Sequence, residues 1–232
     1  STTSGVLYVY GLTDSTAEFD DSVVTAVLVV DVYTGGTFVG AVPSSPLVNK
    51  LQLYLNGAAV TLRDASYNRV QILGVVNADL LIDNVSIGGG TYGLYSDRWC
   101  ALKRASNITV RDSVIAGTTE SLSFYYTTKM DAGSTLLLDN VTLIGNAVLG
   151  KFVGSNLTVR SSTTSGVLYV YGLTDSTAEF DDSVVTSALL VYVYTGGTFV
   201  CAVPSSPLDN QLQLYLNGAA VPLHDASSNR IQ

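Results

Sequence analysis

The chain has few of the residues on which charged surfaces, disulfide frameworks and metal sites depend. Charged residues make up 13% of its 232 residues, about half the usual share. Its two cysteines, Cys100 and Cys201, are too few for a disulfide scaffold and have no metal-ligand spacing. The net charge of −8 leaves no basic surface to neutralise phosphates, which excludes nucleic acid as a partner.

Long hydrophobic runs and helix signals are also missing. No apolar run approaches the roughly 18–20 residues that span a bilayer, and the nearest, 23–33, is interrupted by Thr25 and Asp31. No stretch shows a 3.6-residue period, and helix formers such as Glu and Lys are scarce. No initiator Met and no signal peptide open the sequence, so we interpret it as a segment of something longer.

What the sequence has instead is a long internal repeat. Residues 1–71 return as residues 162–232, with 60 of 71 positions identical at a constant offset of 161. We therefore describe 1–232 as one continuous domain, made of a 161-residue module (1–161) and a partial second copy (162–232). Such periodicity indicates a tandem array.

A shorter period lies inside the module. A strand-like run of apolar residues alternating with polar ones, followed by a polar corner, recurs every 21–34 residues. Alternation of this kind predicts a strand with one buried face, and its recurrence predicts a solenoid. The predicted fold class is all-β: a single-stranded parallel β-helix of about eight rungs, with six rungs and a rise of roughly 29 Å per module. The runs are 17–21, 51–55, 80–84, 108–112, 136–140, 157–161, 178–182 and 212–216.

Two segments, 80–87 (LLIDNVSI) and 136–143 (LLLDNVTL), resemble rungs of right-handed β-helix surface proteins. Pectate-lyase-like folds, autotransporter passengers and protist surface repeats all contain such runs. The resemblance covers most of the chain and identifies a fold rather than one family. It implies right-handed coiling and an extracellular or cell-surface location.

The 11 differences between the copies separate outward from inward positions. Around 26–33 the changes fall at positions 26, 27, 29 and 31, whereas Leu28, Val30 and Val32 are kept. Successive strand residues point to opposite faces. We therefore expect position 31, where Asp31 becomes Tyr192 in the second copy, to face outward.

The fourth residue of each run is predicted to face outward, and its charge alternates along the stack. In register, each Arg would lie between two Asp residues, which avoids like charges on adjacent strands. Each exposed pair is worth only about 0–1 kcal/mol, so its expected value is in fixing the register. The predicted register ladder is Asp83, Arg111, Asp139, Arg160 and Asp181, with Tyr54 on the rung before Asp83.

No catalytic, cofactor-binding or metal-binding residues are predicted. The pairs Asp20-Asp21 and Asp181-Asp182 invite comparison with glycosidases, which need two carboxylates at a defined separation. Adjacent strand residues point to opposite faces, so these pairs are not expected to converge on one substrate. His224 replaces Arg63 of the first copy, so no role shared by both copies rests on it.

Four N-glycosylation sequons occur, at Asn84, Asn107, Asn140 and Asn156. Strand parity places Asn107 and Asn156 outward, which makes them the favoured sites of modification. Asn84 and Asn140 occupy the polar corner, where Asn suits the turn in any case.

Cys201 stands where the first copy has Gly40, so the coil does not depend on it. Cys100 is about four rungs away, roughly 19 Å along the axis, which exceeds disulfide reach. The remaining alternatives are two free thiols or an interchain link through Cys201.

These features favour an architectural role over chemistry. Near-identical modules in tandem would give a long, stiff rod, because the open strand edge of one coil is met by the next coil. The first hypothesis is a non-catalytic structural module of an extracellular fibre or surface filament, whose partners are copies of itself, end to end and side by side. The alternatives are an adhesin stalk or glycan-binding module, through exposed tyrosines such as Tyr54, Tyr192 and Tyr215, and a polysaccharide lyase or hydrolase. No cofactor is expected.

Overall fold

The chain coils as a stack of parallel strands. The computed structural model describes residues 2–19, 23–24, 26–41, 50–96, 102–103, 105–124, 129–201, 211–219 and 221. Within these residues all strand pairs are parallel, and the secondary structure is strand without helix. The fold is therefore a parallel β-solenoid of about eight turns, which confirms the predicted all-β class. In the same residues, no helix is long and apolar enough to cross a membrane.

The coils build two main sheets, with nine and seventeen strands in the described residues. A coil typically adds one strand to the nine-stranded sheet, turns a corner, and then adds a short and a longer strand to the seventeen-stranded sheet. The strands are β1 (Thr2–Thr3), β2 (Leu7–Leu12), β3 (Thr16–Phe19), β4 (Val23–Val24), β5 (Val27–Val32), β6 (Thr37–Ala41), β7 (Lys50–Asn56), β8 (Ala59–Arg63), β9 (Ser66–Tyr67), β10 (Val70–Val76), β11 (Asp79–Asp83), β12 (Ser86–Ile87), β13 (Tyr92–Ser96), β14 (Leu102–Lys103), β15 (Asn107–Arg111), β16 (Val114–Phe124), β17 (Lys129–Met130), β18 (Thr135–Asp139), β19 (Thr142–Leu149), β20 (Lys151–Val153), β21 (Asn156–Arg160), β22 (Thr163–Thr164), β23 (Leu168–Thr174), β24 (Thr177–Asp181), β25 (Val184–Val185), β26 (Ala188–Val193), β27 (Thr198–Cys201) and β28 (Gln211–Leu216).

The paired residues of the nine-stranded sheet show how many coils make up one module. Phe19 pairs with Gly40, Gly40 with Leu62, and Leu62 with Ile82, so three steps of nearly equal length come first. Two pairings with a longer sequence separation and two with a shorter one follow. The last pairing ends on Phe180, the second-copy counterpart of Phe19. One module is therefore seven coils, with a rise of about 34 Å at about 4.8 Å per coil.

The prediction of six coils per module is wrong at one place. The sequence pattern assigns 51–55 to the same ladder as 80–84, but these residues lie in β7 of the seventeen-stranded sheet. β6 and β8 take the positions between β3 and β11 instead, so three steps of the ladder stand where two were predicted. Both strands of a coil alternate with period two, so alternation alone does not say which sheet a strand joins.

Rows of apolar side chains fill the interior of the coil. Leu62, Ile82, Val110 and Leu138 follow one another in register and are fully buried. Each side chain packs on the equivalent one above and below, because parallel pairing sets equal positions side by side. The core therefore continues along the axis without a boundary between coils.

Only some of the substitutions between the copies mark the outer face, because Val29, Tyr67, Val70 and Cys201 also differ between the copies and are buried. Position 31 does face outward, as predicted. Leu28, Val30 and Val32 are buried, with at most 1% of their surface exposed. Asp31 and its counterpart Tyr192 lie between buried neighbours on their strands and remain partly exposed.

In the described residues, corners on both sides of the nine-stranded sheet hold the backbone in the left-handed region. Asp112 (φ 48°) and Asn140 (φ 53°) follow strands of the nine-stranded sheet, and Asp175 (φ 47°) precedes one. Asp and Asn enter this region more readily than other non-glycine residues. Gly35 (φ 72°) stands at the same kind of corner, where an added Cβ would meet Asp14 Oδ1.

Buried serines satisfy backbone groups at these corners. Ser162 Oγ donates to the carbonyl of Arg160 at 2.8 Å and accepts the N–H of Val141, one coil earlier, at 3.0 Å. A buried hydroxyl that both donates and accepts leaves no polar group unpaired. It also ties one coil to the next outside the strand ladder.

The interior row predicts a position-specific loss of stability. Replacing Leu138 by Ala should lower the free energy of unfolding by about 2–5 kcal/mol, because it leaves a cavity in a fully buried row. Its neighbour Leu137 faces outward and supplies the matched control, since Leu137→Ala should change stability by about 0.5 kcal/mol or less. Denaturant unfolding of both variants measures the difference, and equal losses would contradict the assigned faces.

Candidate functional site

One outward row of the nine-stranded sheet carries charges of alternating sign. Asp83 pairs in register with Arg111, Arg111 with Asp139, Asp139 with Arg160, and Arg160 with Asp181. The five residues assigned to the register ladder from the sequence thus lie on five successive coils. This row is termed the charged ladder below.

The arginines of the charged ladder reach back to the preceding coil. Arg111 Nη2 lies 2.6 Å from Asp83 Oδ2, and Arg160 Nη2 lies 2.6 Å from Asp139 Oδ2. These hydrogen bonds lower the pKa of Asp83 and of Asp139, and they raise the pKa of the two arginines. The charge of the Asp on the following coil also raises each arginine pKa, so every Arg interacts with carboxylates on both sides.

Arg63 extends the charged ladder by one coil, in place of Tyr54. Arg63 pairs in register with Asp83, and its charge adds to the effect of Arg111 in lowering the pKa of Asp83. The prediction that Tyr54 precedes Asp83 is wrong, because Tyr54 belongs to the seventeen-stranded sheet. The sequence does carry a signal for Arg63: the dipeptide 63–64 (RD) repeats 111–112 (RD), an Arg followed by a left-handed corner.

We expect the charged ladder to affect register more than stability. The arginine side chains are about half exposed, 47% at Arg111 and 50% at Arg160, and exposed pairs contribute about 0–1 kcal/mol each. If one coil were skipped during folding, Asp83 would meet Asp139 and like charges would stand on adjacent strands. The alternation therefore disfavours pairings that miss a coil.

A second outward row of the same sheet is linked by amide and hydroxyl groups. Asn107 Nδ2 donates to Asp79 Oδ1 at 2.7 Å, and Thr135 Oγ1 donates to Asn107 Oδ1 at 2.6 Å. Asn107 is half-buried, with its amide engaged on both sides. Asn156 follows Thr135 in this row and is exposed, so it presents its sequon more openly than Asn107 does.

The other two sequons lie at corners. Asn84 (φ 51°) and Asn140 (φ 53°) are exposed. Each donates its side-chain N–H to an aspartate one coil earlier, Asn84 to Asp64 at 2.8 Å and Asn140 to Asp112 at 2.7 Å. Both asparagines therefore have a structural reason to occupy these positions.

Cys201 lies in the core, with 1% of its surface exposed, beside Phe180 in register. Burial raises the pKa of its thiol. A thiol in this position cannot meet a second chain unless the coil opens, which argues against the interchain link, one of the two alternatives left open by the sequence. Cys100 lies outside the described residues.

The two aspartates of the acidic pair that the structure describes occupy different structural positions. Asp181 ends a strand in the charged ladder, and Asp182 occupies a left-handed corner (φ 43°); both are exposed. The pair Asp20-Asp21 and His224 lie outside the described residues. In the part of the chain that is described, no group of three or more His, Cys, Asp or Glu residues could hold a metal ion.

The seventeen-stranded sheet carries a stack of tyrosine rings in the second copy. The ring centroids of Tyr171 and Tyr192 are 4.9 Å apart at 26°, and those of Tyr192 and Tyr215 are 4.3 Å apart at 4°. Aromatic pairs contribute about 0.5–1.5 kcal/mol beyond their burial. The sequence marks Tyr192 and Tyr215 as outward, but Tyr171 joins them through an irregularity between Val170 and Leu173 that alternation does not reveal. These three residues are termed the tyrosine stack.

A groove of about 710 Å³ runs beside the tyrosine stack. Its volume and its aromatic lining with few polar groups are typical of small-ligand sites. Burial, followed by the neighbouring tyrosines, raises the pKa of Tyr192, so its hydroxyl stays protonated at neutral pH. Besides two rings of the stack, the groove is lined by Lys151, Val153, Thr174 and Tyr194.

Comparison of the chain with family models, with curated proteins and with solved structures finds no match to any of them. The repeat, the charged ladder and the tyrosine stack are therefore the features from which a function can be inferred.

The charged ladder predicts a difference between two substitutions at one position. Arg111→Asp should lower the melting temperature more than Arg111→Ala, because the new carboxylate would stand between Asp83 and Asp139. The excess loss should shrink at high salt, where exposed charges are screened. Arg69→Asp, outside the ladder, is the control, and equal shifts for the two Arg111 variants would show that the ladder does not act through charge.

The same variants carry a pH signature. Asp83 and Asp139 have a folded pKa below their ordinary value of 3.8, so the unfolded chain binds protons more readily. The stability that these carboxylates add is complete above that ordinary value and is lost as the pH falls through the lower folded value. Acid unfolding of Arg111→Ala should therefore show a weaker loss of stability than the native chain in that range, and identical acid profiles would contradict the assignment.

Proposed function

We propose that the chain is a structural repeat module of an extracellular fibre or surface filament, a self-associating rod without catalytic activity. The observation that carries the proposal is the junction between the copies. Strand β21 of the first module pairs residue for residue with β24 of the second, from Asn156 with Thr177 to Arg160 with Asp181. The buried row and the charged ladder both cross this junction without a break.

The repeat also supports the proposal by placing one sequence in two settings. In the second copy, Leu168 and Val170 pair with β19 of the first module and are at most 1% exposed. Their first-copy counterparts Leu7 and Val9, which no described coil precedes, are only partly buried. Apolar burial is worth about 25 cal/mol per Å², so stacking of one coil on the next is what completes the core.

An array of such modules would be stiff along its axis and adhesive along its sides. Parallel strand pairing and a continuous core join every coil to the next. The outer faces carry few charges and several tyrosines; Tyr169, Tyr171 and Tyr192, which lie between described coils, remain partly exposed. Surfaces of this composition suit lateral contact between rods.

The rod predicts a linear relation between length and module number. Chains of one, two and three modules joined at the 161-residue offset should grow by about 34 Å in their longest dimension per added module, at one strand spacing per coil. Small-angle scattering or electron microscopy measures this length.

A matched variant tests the junction itself. Leu157→Asp should break a second buried row, which runs from Leu136 through Leu157 to Ala178 of the second copy, and abolish the regular increment, since Leu157 is fully buried. Thr158→Asn, one residue further and outward, adds no charge opposite Glu179 and should leave the increment unchanged. A longest dimension that does not rise with module number would contradict the rod.

The groove beside the tyrosine stack favours a second candidate role, glycan binding along the rod. Titration calorimetry with a panel of neutral and acidic oligosaccharides should then show binding to the native chain. Tyr192→Asp, which installs the residue of the first copy, should weaken it by removing one wall of the groove. Equal affinities of the two chains, or no binding by either, would remove this candidate.

A further inference from the structure

The two copies differ at the centre of the tyrosine stack. In the second copy Tyr192 lies between Tyr171 and Tyr215 on successive coils. In the first copy the same position is Asp31, which pairs in register with Tyr54. Asp31 therefore separates Tyr54 from Tyr10, and the first copy has no continuous stack of rings here.

The pair Tyr192 and Tyr215 has the geometry of two phenols ready to react with each other. Their ring centroids are 4.3 Å apart and their planes differ by 4°. The two residues pair in register on successive coils, and the Tyr215 hydroxyl donates to Gln213 Oε1 at 3.2 Å. Because the ring planes are nearly parallel at this separation, carbons of one ring stand close to carbons of the other.

The pair is also open to an oxidant. Tyr215 is 47% exposed and Tyr192 is partly exposed. Both rings stand on the outward face of strands, and the neighbours of Tyr192 along its strand, Val191 and Val193, are buried. Oxidation at the pair therefore requires no opening of the coil.

We propose that Tyr192 and Tyr215 form an oxidative cross-linking site, at which a haem peroxidase with hydrogen peroxide couples the two phenols into a dityrosine. The bond would join β26 covalently to β28 across one coil boundary. It would hold together two coils that otherwise depend on strand pairing and packing. The proposal does not depend on the fibre function, since it requires only the pair of rings.

The chemistry balances with hydrogen peroxide as the only co-substrate. Each phenol loses one electron and one proton and becomes a phenoxyl radical, whose unpaired electron is shared with the ring carbons next to the oxygen. The two radicals form one carbon–carbon bond between those positions, and the hydrogen on each bonded carbon moves to the oxygen of its ring. Peroxide takes up the two electrons and two protons and is reduced to two molecules of water.

Neighbouring tyrosines define the competing products. Tyr169 and Tyr171 lie on one strand with ring centroids 5.8 Å apart, and Tyr8 and Tyr10 lie on one strand 5.2 Å apart. These pairs are two residues apart within a strand, so their cross-links would join no coils. The nearest competitor is Tyr171, whose ring centroid is 4.9 Å from that of Tyr192 on the adjacent coil, at an angle of 26°. The Tyr192–Tyr215 pair is closer and more nearly parallel than any of these, so we expect it to react first.

The experiment treats the intact chain with horseradish peroxidase and a limiting amount of hydrogen peroxide, at a protein concentration low enough to disfavour coupling between chains. The native chain should gain dityrosine fluorescence while remaining monomeric. Peptide mapping by mass spectrometry should link the peptides that contain Tyr192 and Tyr215. The cross-linked chain should also melt at a higher temperature, because the bond restricts the unfolded chain.

Three variants make the result specific. Tyr192→Phe keeps an aromatic ring in the stack and removes the phenol, so it should fold as the native chain does and lose this cross-link. Tyr192→Asp, which copies the first module, should lose it as well. Asp31→Tyr should create a new cross-link between positions 31 and 54, since these positions pair in register.

Two outcomes would overturn the proposal. The first is a yield of dityrosine in Tyr192→Phe equal to that of the native chain, with both chains folded by circular dichroism. The second is a peptide map dominated by a Tyr171–Tyr192 link, by same-strand pairs or by links between chains.

Discussion

Parallel hydrogen bonding between successive coils is the constraint on which the other features depend. It places the same position of every coil about 4.8 Å from its neighbours above and below. Any side chain is therefore repeated against its own kind unless the sequence changes from coil to coil. Contact between equivalent residues stabilises apolar side chains, as in the buried row through Leu62 and Ile82. It destabilises like charges, and the outward row therefore alternates in sign through Asp83, Arg111 and Asp139.

The same constraint explains how coils of unequal length share one sheet. The step from Leu62 to Ile82 is shorter than the step from Ile82 to Val110, and the register is kept across both. Left-handed corners end the strands of the nine-stranded sheet at equivalent positions, as at Asp64 and Asp112. Extra residues are accommodated elsewhere on the coil, in part by register shifts within the seventeen-stranded sheet, as between Ala116 and Glu120. Fixed corners with variable connections let the solenoid take insertions without losing its stack.

The fold could be predicted from the sequence because its main determinants are periodic. The internal repeat and the period-two alternation indicate a parallel coil, and the substitution of Asp31 by Tyr192 separates the outer face from the inner one. The assignment of strands to sheets could not be predicted in the same way. The run 51–55 alternates as well as β8 does, and only the Arg63-Asp64 corner distinguishes the two.

The candidate sites also include features that could be predicted from the sequence and features that could not. Asp83 and Arg111, which have opposite charges, could be placed in one row from the sequence, because the segment that separates them has the length of one complete coil. The stacking of Tyr171 on Tyr192 could not, because Tyr171 is shifted into line by the irregularity before Leu173. The burial of Cys201 also escapes prediction, since its counterpart Gly40 has no side chain whose preference could indicate the inner face.

The difference at positions 31 and 192 shows how a repeat can acquire chemistry without losing its coil. The position faces outward between buried neighbours, so either residue is compatible with the strand. The consequences differ. Asp31 is partly shielded from water, which raises the pKa of its carboxyl group and makes its charge less favourable there. Tyr192 instead gains an aromatic neighbour on each side, at 4.9 and 4.3 Å. Parallel pairing places every outward residue beside the equivalent residues of the preceding and following coils. One substitution of this kind therefore changes the contacts along a whole row, and it turns separate tyrosines into a stack.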